Sequence, residues 1–121
     1  MATKFLRRRD ELLTGFRHLR SDLPQVMAGF GQTHNAVLSD GELPRKTKEL
    51  MALVISIATH CEGCIALHTY DSLKAGATPE EIHEALGVAI LMGGGPAAVY
   101  AAEALEAVEQ FHMHDGDDPG A

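Results

Sequence analysis

The sequence contains no tryptophan, only two tyrosines and four phenylalanines, and no segment with the sustained two-residue alternation of a half-buried β-strand. The lack of alternation argues against a sheet. Apolar residues make up 45% of the chain, and with so few aromatics among them they favour close-packed helices rich in Ala, Leu, Val and Ile. At 121 residues, we expect one all-α domain.

Long hydrophobic runs and basic residues are also scarce. The longest strongly apolar stretch, Leu50 to Ala58, is about half the length of roughly 20 residues that a bilayer crossing requires, and no secretory segment follows the N-terminus. Ten basic residues against seventeen acidic ones give a formal charge of −7. Because this balance disfavours nucleic acid and an anionic membrane as partners, we expect a cytoplasmic protein that binds neither.

Helical signals recur along the whole chain and predict about six helices. Pro44 opens the third, Thr78-Pro79-Glu80-Glu81 is a capping box that opens the fifth, and Gly93-Gly94-Gly95-Pro96 separates the fifth from an alanine-rich sixth. The expected helices cover about residues 3–20, 22–38, 44–60, 61–76, 79–92 and 97–111. The domain therefore spans residues 1–111, and residues 112–121 are expected to form a mobile polar tail.

The only two cysteines, Cys61 and Cys64, are three residues apart, a spacing that allows a disulfide across one helical turn. If a helix starts near Cys61, then Cys61, Cys64 and His68 lie at i, i+3 and i+7 and form one row. In a reducing compartment, a lone close cysteine pair is more often catalytic or metal-binding than structural.

Glu49 is the carboxylate that we expect to contact the row formed by Cys61, Cys64 and His68. With a rise of about 1.5 Å per residue, Glu49 lies roughly 16 Å and His68 roughly 10 Å from the turn between their helices. Extended side chains or one bridging water would span the difference of about 6 Å. A carboxylate near the core needs a partner; His68 is the candidate, with Lys46 and Lys48 as competitors.

The sequence alone leaves the reactive thiol undecided. At an unperturbed pKa of about 8.5, only about 3% of a thiol is ionised at neutral pH, so activation is required. The positive end of the helix acts mainly on Cys61, whereas His68, one turn beyond Cys64, can take the proton of Cys64.

The spacing of Glu49, Cys61, Cys64 and His68 resembles the signature of the alkylhydroperoxidase D-like members of the carboxymuconolactone decarboxylase family. Its flanks are similar too, in Lys48-Glu49-Leu50, His68-Thr69 and Ala75-Gly76-Ala77-Thr78-Pro79-Glu80-Glu81-Ile82. The likeness extends over about residues 43–92. It implies an alkylhydroperoxidase D-like orthogonal helical bundle that assembles into homo-trimers or homo-hexamers, and a peroxidase cycle that uses no cofactor.

The same resemblance implies a role for each residue. Cys64 attacks the hydroperoxide and becomes a sulfenic acid, which Cys61 resolves to a disulfide. His68 deprotonates Cys64, and Glu49, through a water, completes the proton relay. An external dithiol, a lipoylated or thioredoxin-like protein, then restores the thiols. Some relatives have His immediately before the second cysteine, where this chain has Gly63.

Other functions are compatible with these residues. A lactone decarboxylase keeps the fold, but that reaction needs no thiol pair. A metal-binding or redox-sensing oligomeric module uses Cys61, Cys64 and His68 as zinc ligands, with Glu49, His60 or a partner subunit as the fourth. We expect no metal and assign His60 to the turn between helices. The leading hypothesis is a thiol-dependent peroxidase acting on small organic hydroperoxides or hydrogen peroxide.

Overall fold

The computed structural model describes residues 4–117, and this part of the chain contains helices and no strand. The expected all-α class is therefore confirmed. The helices are α1 (Lys4–Asp22), α2 (Pro24–Leu38), α3 (Arg45–Ala58), α4 (Glu62–Lys74) and α5 (Pro79–Asp117).

The described residues form five helices rather than about six, because the predicted break at residues 93–96 is a kink within the 39-residue α5. Gly94 takes a non-helical conformation there, with φ 71° and ψ −151°, which glycine adopts at little steric cost. Pro96, two residues after Gly94, also disfavours a regular helix here, because proline has no backbone N–H to donate. The break was located correctly, and the two helical stretches on either side of the kink form one element, which reduces the count from about six to five.

The last helix also extends past Phe111, where we expected it to end, and continues to Asp117. Residues 112–117 therefore belong to α5. The rest of the expected mobile tail, residues 118–121, lies outside the described residues. The mobility of the tail stays a prediction.

Local hydrogen bonds define the start of α5 as the sequence predicts. The backbone N–H of Glu81 donates to Oγ1 of Thr78 at 3.1 Å, and the N–H of Thr78 donates to Oε1 of Glu81 at 3.0 Å. These two bonds satisfy donors that the helix leaves unpaired. Oε2 of Glu81 also lies 2.9 Å from Nζ of Lys46, which ties the start of α5 to α3.

The core lies where α3, α4 and α5 pack on one another, with α1 across α4 and α5. Phe5 joins α1 to this core: its ring is fully buried, and its N–H donates to Oε1 of Gln110 on α5 at 2.7 Å. The largest fully buried apolar side chains are Phe5, Phe111, Leu53, Ile57, Ile65 and Ile82. This packing holds α3 and α4 side by side, which positions the site.

Many large apolar side chains remain exposed on α2, α3 and α5. The segment Pro79–Met113 of α5 is long and apolar enough to cross a membrane by length and composition, and only 22% of its most apolar stretch is buried within the structure. The exposed residues include Val26, Phe30, Val37, Met51, Ile55, Val88, Ile90, Leu91, Met92 and Val99. Helix α5 thus supplies residues to the core on one side and exposes apolar side chains on the other.

Candidate active site

The two cysteines flank the first turn of α4 and are joined by a disulfide, with their Cα atoms 5.2 Å apart. Cys61 is the N-cap residue, with an extended backbone (φ −101°, ψ 92°). Its Sγ accepts a hydrogen bond from the N–H of Cys64 at 3.2 Å. The predicted bond across one turn is thus present, with Cys61 just outside the helix and Cys64 inside it.

His68 lies four residues beyond Cys64 on α4, which places both side chains on one face of the helix. Its Nδ1 is 2.9 Å from Oε1 of Glu49 on α3. The Glu49 side chain is fully buried, whereas His68 is 21% exposed. The carboxylate and the imidazole are in direct contact, so no water is needed between them.

Glu49 contacts a second side chain besides His68. Arg45, one turn before Glu49, has a guanidinium nitrogen 3.5 Å from Oε2 of Glu49. An ionised carboxylate only accepts hydrogen bonds, so Nδ1 of His68 carries the hydrogen. In a neutral ring, Nε2 then has the free lone pair and can accept a proton.

The two lysines considered as competitors for Glu49 have other partners. Nζ of Lys46 pairs with Glu81 at 2.9 Å, and Nζ of Lys48 donates to the carbonyl oxygen of Ser39 at 2.6 Å. Among the described residues, Glu49 is therefore bonded to His68 and Arg45.

Asp71 is a member of the site that sequence reasoning missed. It follows His68 by three residues, and one polar ligand atom from each of Glu49, His68 and Asp71 lies within 4.8 Å of the others. Burial raises the pKa of the Asp71 carboxyl above its ordinary value, as does the charge of Glu49, while His68, Arg9 and Arg45 oppose the shift. The three-residue spacing on α4 was the available signal.

These three side chains are close enough together to bind one metal ion, and neither cysteine belongs to the group. In the disulfide form, Cys61 and Cys64 are bonded to each other. The two thiolate ligands of the zinc interpretation therefore exist only after reduction.

His60 lies in the turn between α3 and α4, as expected, and immediately precedes Cys61. Its φ is +60°, in the left-handed region that non-glycine residues rarely adopt. The imidazole stacks on the ring of Tyr100 of α5, with centroids 4.7 Å apart and planes within 1° of parallel. This stack links the turn before the disulfide to α5.

Helix α1 closes over the turn between the cysteines. A Cβ atom at Gly63 would lie 3.0 Å from Cδ1 of Leu12 and 3.9 Å from a guanidinium nitrogen of Arg8. Glycine at this position therefore permits the close approach of α1.

Comparisons with a family model and with solved structures point to the same protein family. The model of the carboxymuconolactone decarboxylase family matches residues 24–107, a span that includes both cysteines, Glu49 and His68. A carboxymuconolactone decarboxylase family protein from Legionella pneumophila has a similar crystal structure, with 44% identity, a TM-score of 0.88, and 90% of this chain and 97% of that chain covered.

Two further relatives agree with this match. A family protein from Thermotoga maritima, for which a role in the antioxidative response has been suggested, is 32% identical, with a TM-score of 0.78 and 94% of each chain covered. An uncharacterized protein from Cupriavidus necator is 37% identical over 105 residues, covering 87% of this chain and 93% of its own length.

Proposed function

The chain belongs to the carboxymuconolactone decarboxylase family, and we propose that it is a thiol-dependent peroxidase of the alkylhydroperoxidase D type. One observation carries the proposal: the Cys61–Cys64 disulfide lies one turn before His68, which is hydrogen-bonded to a buried carboxylate. The substrates would be hydrogen peroxide and small organic hydroperoxides. The suggested antioxidative role of the Thermotoga maritima relative is in accord with this chemistry.

The first step requires a thiolate at Cys64. In the reduced protein, Nε2 of neutral His68 accepts the thiol proton, and the Glu49 carboxylate stabilises the resulting imidazolium through Nδ1–H. The thiolate attacks the terminal oxygen of the hydroperoxide, and the O–O bond breaks. Cys64 becomes a sulfenic acid, and the departing alkoxide takes the proton from His68 to leave as an alcohol.

The second step forms the disulfide. The Cys61 thiolate attacks the sulfur of the Cys64 sulfenic acid, and hydroxide leaves with a proton as water. The Cys61–Cys64 disulfide, with a Cα separation of 5.2 Å that lies within the range for such bonds, supports this step. Cys61, at the N-cap, is on the positive end of α4, which favours its ionised form.

An external dithiol must return the protein to its reduced state. A lipoylated or thioredoxin-like protein is the proposed donor, because each supplies two thiols for successive thiol–disulfide exchange. Both cysteines are partly exposed, which supports access for such a partner. We place the cycle in the cytoplasm, where reductants of this kind operate.

A homo-oligomer, a trimer or hexamer, is proposed as the working form. The many exposed apolar side chains of α2, α3 and α5 support it, because large exposed apolar areas mark sites of interaction. We propose that these apolar side chains contact a second copy of the chain, rather than a bilayer or nucleic acid. Sedimentation equilibrium without detergent should give a mass of three or six chains, whereas a monomer or a detergent-dependent species would contradict this.

Titration of the pre-reduced protein with cumene hydroperoxide tests the activity. Free thiols should fall from two per chain to none as one equivalent of peroxide is consumed, and reduction by dithiothreitol should restore the capacity. The matched control is the Cys61→Ser/Cys64→Ser double variant, which should consume none. Equal consumption by the control would refute the proposed function.

A further inference from the structure

We propose that the first two turns of α1 dock the dithiol protein that reduces the Cys61–Cys64 bond, and that this donor carries acidic side chains around its thiols. The docking surface is formed by Lys4, Arg7 and Arg8, which we call the α1 basic patch. This inference rests on the proposed function, because it names the kind of reductant that the redox cycle needs. It concerns recognition of the donor and not the reaction with peroxide.

Positive charge is concentrated on α1 in a chain that is otherwise strongly acidic. This helix carries six of the ten basic residues but only three of the seventeen acidic ones. Residues 4–9 include four basic side chains and no acidic one. Outside α1, the chain has four basic residues against fourteen acidic ones. An acidic partner is therefore attracted to α1 and repelled by most of the remaining surface.

The position of these charges is unfavourable for α1 itself. The N-terminal end of a helix is its positive end, where acidic side chains are stabilising and basic ones are not. The first turn of α1 contains no acidic residue, although Asp and Glu are the usual choice there. Residues that oppose the local preference of an element are expected at functional surfaces. An intermolecular role accounts for the basic patch, whereas helix stability does not.

Arg8 brings this positive charge to the turn between the two cysteines. One of its guanidinium nitrogens lies 3.9 Å from the point that a Cβ atom of Gly63 would occupy, and Cδ1 of Leu12 lies 3.0 Å from the same point. The Arg8 side chain is 43% exposed, and both cysteines are partly exposed. A donor thiol that reaches the disulfide therefore comes well within the screening distance of about 8 Å from the Arg8 charge.

Acidic side chains beside the patch reduce its net charge without cancelling it. Residues 4–11 contain four basic side chains against two acidic ones. Of the acidic ones, Glu11 lies 3.7 Å from a guanidinium nitrogen of Arg8, and an ion pair this exposed is largely screened by water. Glu62 is exposed in the first turn of α4, next to Gly63. The patch keeps an excess of positive charge, and Glu62 is the side chain expected to oppose an acidic donor.

The reaction that follows docking is a two-step thiol–disulfide exchange. A donor thiolate attacks one sulfur of the Cys61–Cys64 bond, and the other cysteine leaves as a thiolate that takes up a proton. The second donor thiol then loses its proton and attacks the donor sulfur of the mixed disulfide. The remaining cysteine leaves and is protonated. Two electrons and two protons pass from the donor to this protein, and the donor becomes a disulfide.

The test measures reduction of the oxidised full chain by two synthetic donors. Each donor is a peptide with one dihydrolipoyl-lysine, flanked on both sides by glutamates in the acidic peptide and by lysines in the basic peptide. Acid quench, alkylation and mass measurement give the rate at which the Cys61–Cys64 bond is reduced. At low ionic strength, the acidic peptide should react about tenfold faster than the basic one, and the two rates should converge in about 1 M salt.

The net charge of the chain predicts the opposite order. With a formal charge of −7, the protein as a whole attracts the basic peptide and repels the acidic one. A faster reaction with the acidic peptide therefore requires a local positive surface at the disulfide. Equal rates at low ionic strength, or a faster reaction with the basic peptide, would overturn the inference.

Arg7→Gln/Arg8→Gln tests whether the basic patch is that local surface. The ratio of the acidic-peptide rate to the basic-peptide rate should fall by at least about threefold. The substitutions remove positive charge from the positive end of α1, so they should not weaken the helix. Arg17→Gln/Arg20→Gln is the matched control, because it removes the same charge from the other end of the same helix and should leave the ratio unchanged. An equal fall in the control would contradict a specific role of the patch.

Glu62→Gln tests the sign of the interaction. Because this substitution removes a negative charge beside the disulfide, it should raise the ratio of the acidic-peptide rate to the basic-peptide rate. A lower ratio in this variant would contradict electrostatic selection of an acidic donor.

Two further measurements distinguish other uses of the patch. Co-sedimentation of the protein with phosphatidylserine vesicles that was lost in Arg7→Gln/Arg8→Gln would assign the patch to an anionic membrane. A changed oligomeric mass in that variant would assign the patch to a subunit contact, and either result would overturn the inference. All of these experiments omit peroxide, so their outcome is independent of the peroxide titration that tests the proposed function.

Discussion

Glu49 and His68 form a direct hydrogen bond between α3 and α4, with 2.9 Å between Oε1 and Nδ1. The carboxylate is fully buried, and the imidazole is partly exposed. A buried carboxylate that contacts an imidazole fixes the orientation of the ring. In the proposed cycle, Glu49 therefore orients His68 for its role as the base that takes the Cys64 proton.

Glu49→Gln should test this role with little change in shape. The amide oxygen can still accept from Nδ1–H, but the negative charge that stabilises the imidazolium is lost. We expect the rate of Cys64 attack on hydroperoxide at neutral pH to fall by about 10- to 100-fold, at or below the lower end of the range for a positioned base, because the imidazole itself remains. Rapid-quench kinetics measure this rate, and a rate equal to that of the parent would rule out a catalytic contribution from the Glu49 charge.

The His60–Tyr100 stack should contribute to stability. Tyr100→Leu removes the stack and should lower the free energy of unfolding by about 1 kcal/mol. His60→Gly also removes the stack, but glycine adopts the left-handed backbone of this position without strain. The relief of that strain should raise the free energy of unfolding by about 1 kcal/mol. The net change in the free energy of unfolding should therefore be small.

Urea unfolding of both single variants and the double variant gives the coupling between the two rings. A coupling of about 0.5–1.5 kcal/mol is expected for an aromatic pair in contact. Additive effects would show that the observed stacking has no energetic consequence.

Gly63→Ala should test the contact of α1 with the turn between the cysteines. Alanine favours a helix by up to about 1 kcal/mol over glycine, but its Cβ would lie 3.0 Å from Cδ1 of Leu12. We expect little net change in the parent and a stabilisation of about 0.5–1 kcal/mol in a Leu12→Ala background, where the contact is absent. Urea unfolding in both backgrounds measures the difference, and equal effects would contradict the close approach of α1.

The raised pKa of Asp71 predicts a pH dependence of stability. The native state binds the Asp71 proton more tightly than the unfolded state, in which the pKa of this carboxyl has its ordinary value of 3.8. As the pH rises from there through the native pKa, the unfolded state binds fewer protons, so the contribution of Asp71 to the free energy of unfolding falls.

Asp71→Asn removes this dependence. The stability of the variant relative to the parent should therefore increase as the pH rises through that window and then level off. Urea unfolding of both proteins at a series of pH values gives this difference. A difference that decreased with rising pH would contradict the raised pKa.

The sequence predicted those parts of the site that depend on spacing along one helix. The Thr78–Glu81 capping box and the Cys61–Cys64 bond each lie within one turn, so local geometry determines them. The contact of Glu49 with His68 could be predicted because the rise per residue of a helix places both residues at similar distances from the turn between α3 and α4.

The missed features depend on tertiary packing. Along the sequence, Asp71 is close only to His68. It becomes part of the site because the fold brings Glu49 of α3 close to it and places Arg9 of α1 where its charge acts on the Asp71 carboxyl. The residues Gly93-Gly94-Gly95-Pro96 interrupt a helical pattern whether the chain then forms a loop or a kink. Only the packing of both halves of α5 on the core distinguishes the two.

The most direct test is rapid mixing of pre-reduced protein with one equivalent of cumene hydroperoxide, followed by acid quench and mass mapping of both cysteines. The parent should consume the peroxide in a burst and end as the Cys61–Cys64 disulfide. Cys61→Ser should show the same burst but stop at a sulfenic acid on Cys64, and Cys64→Ser should lose the burst. A full burst in Cys64→Ser would contradict the assignment of Cys64 as the attacking thiol.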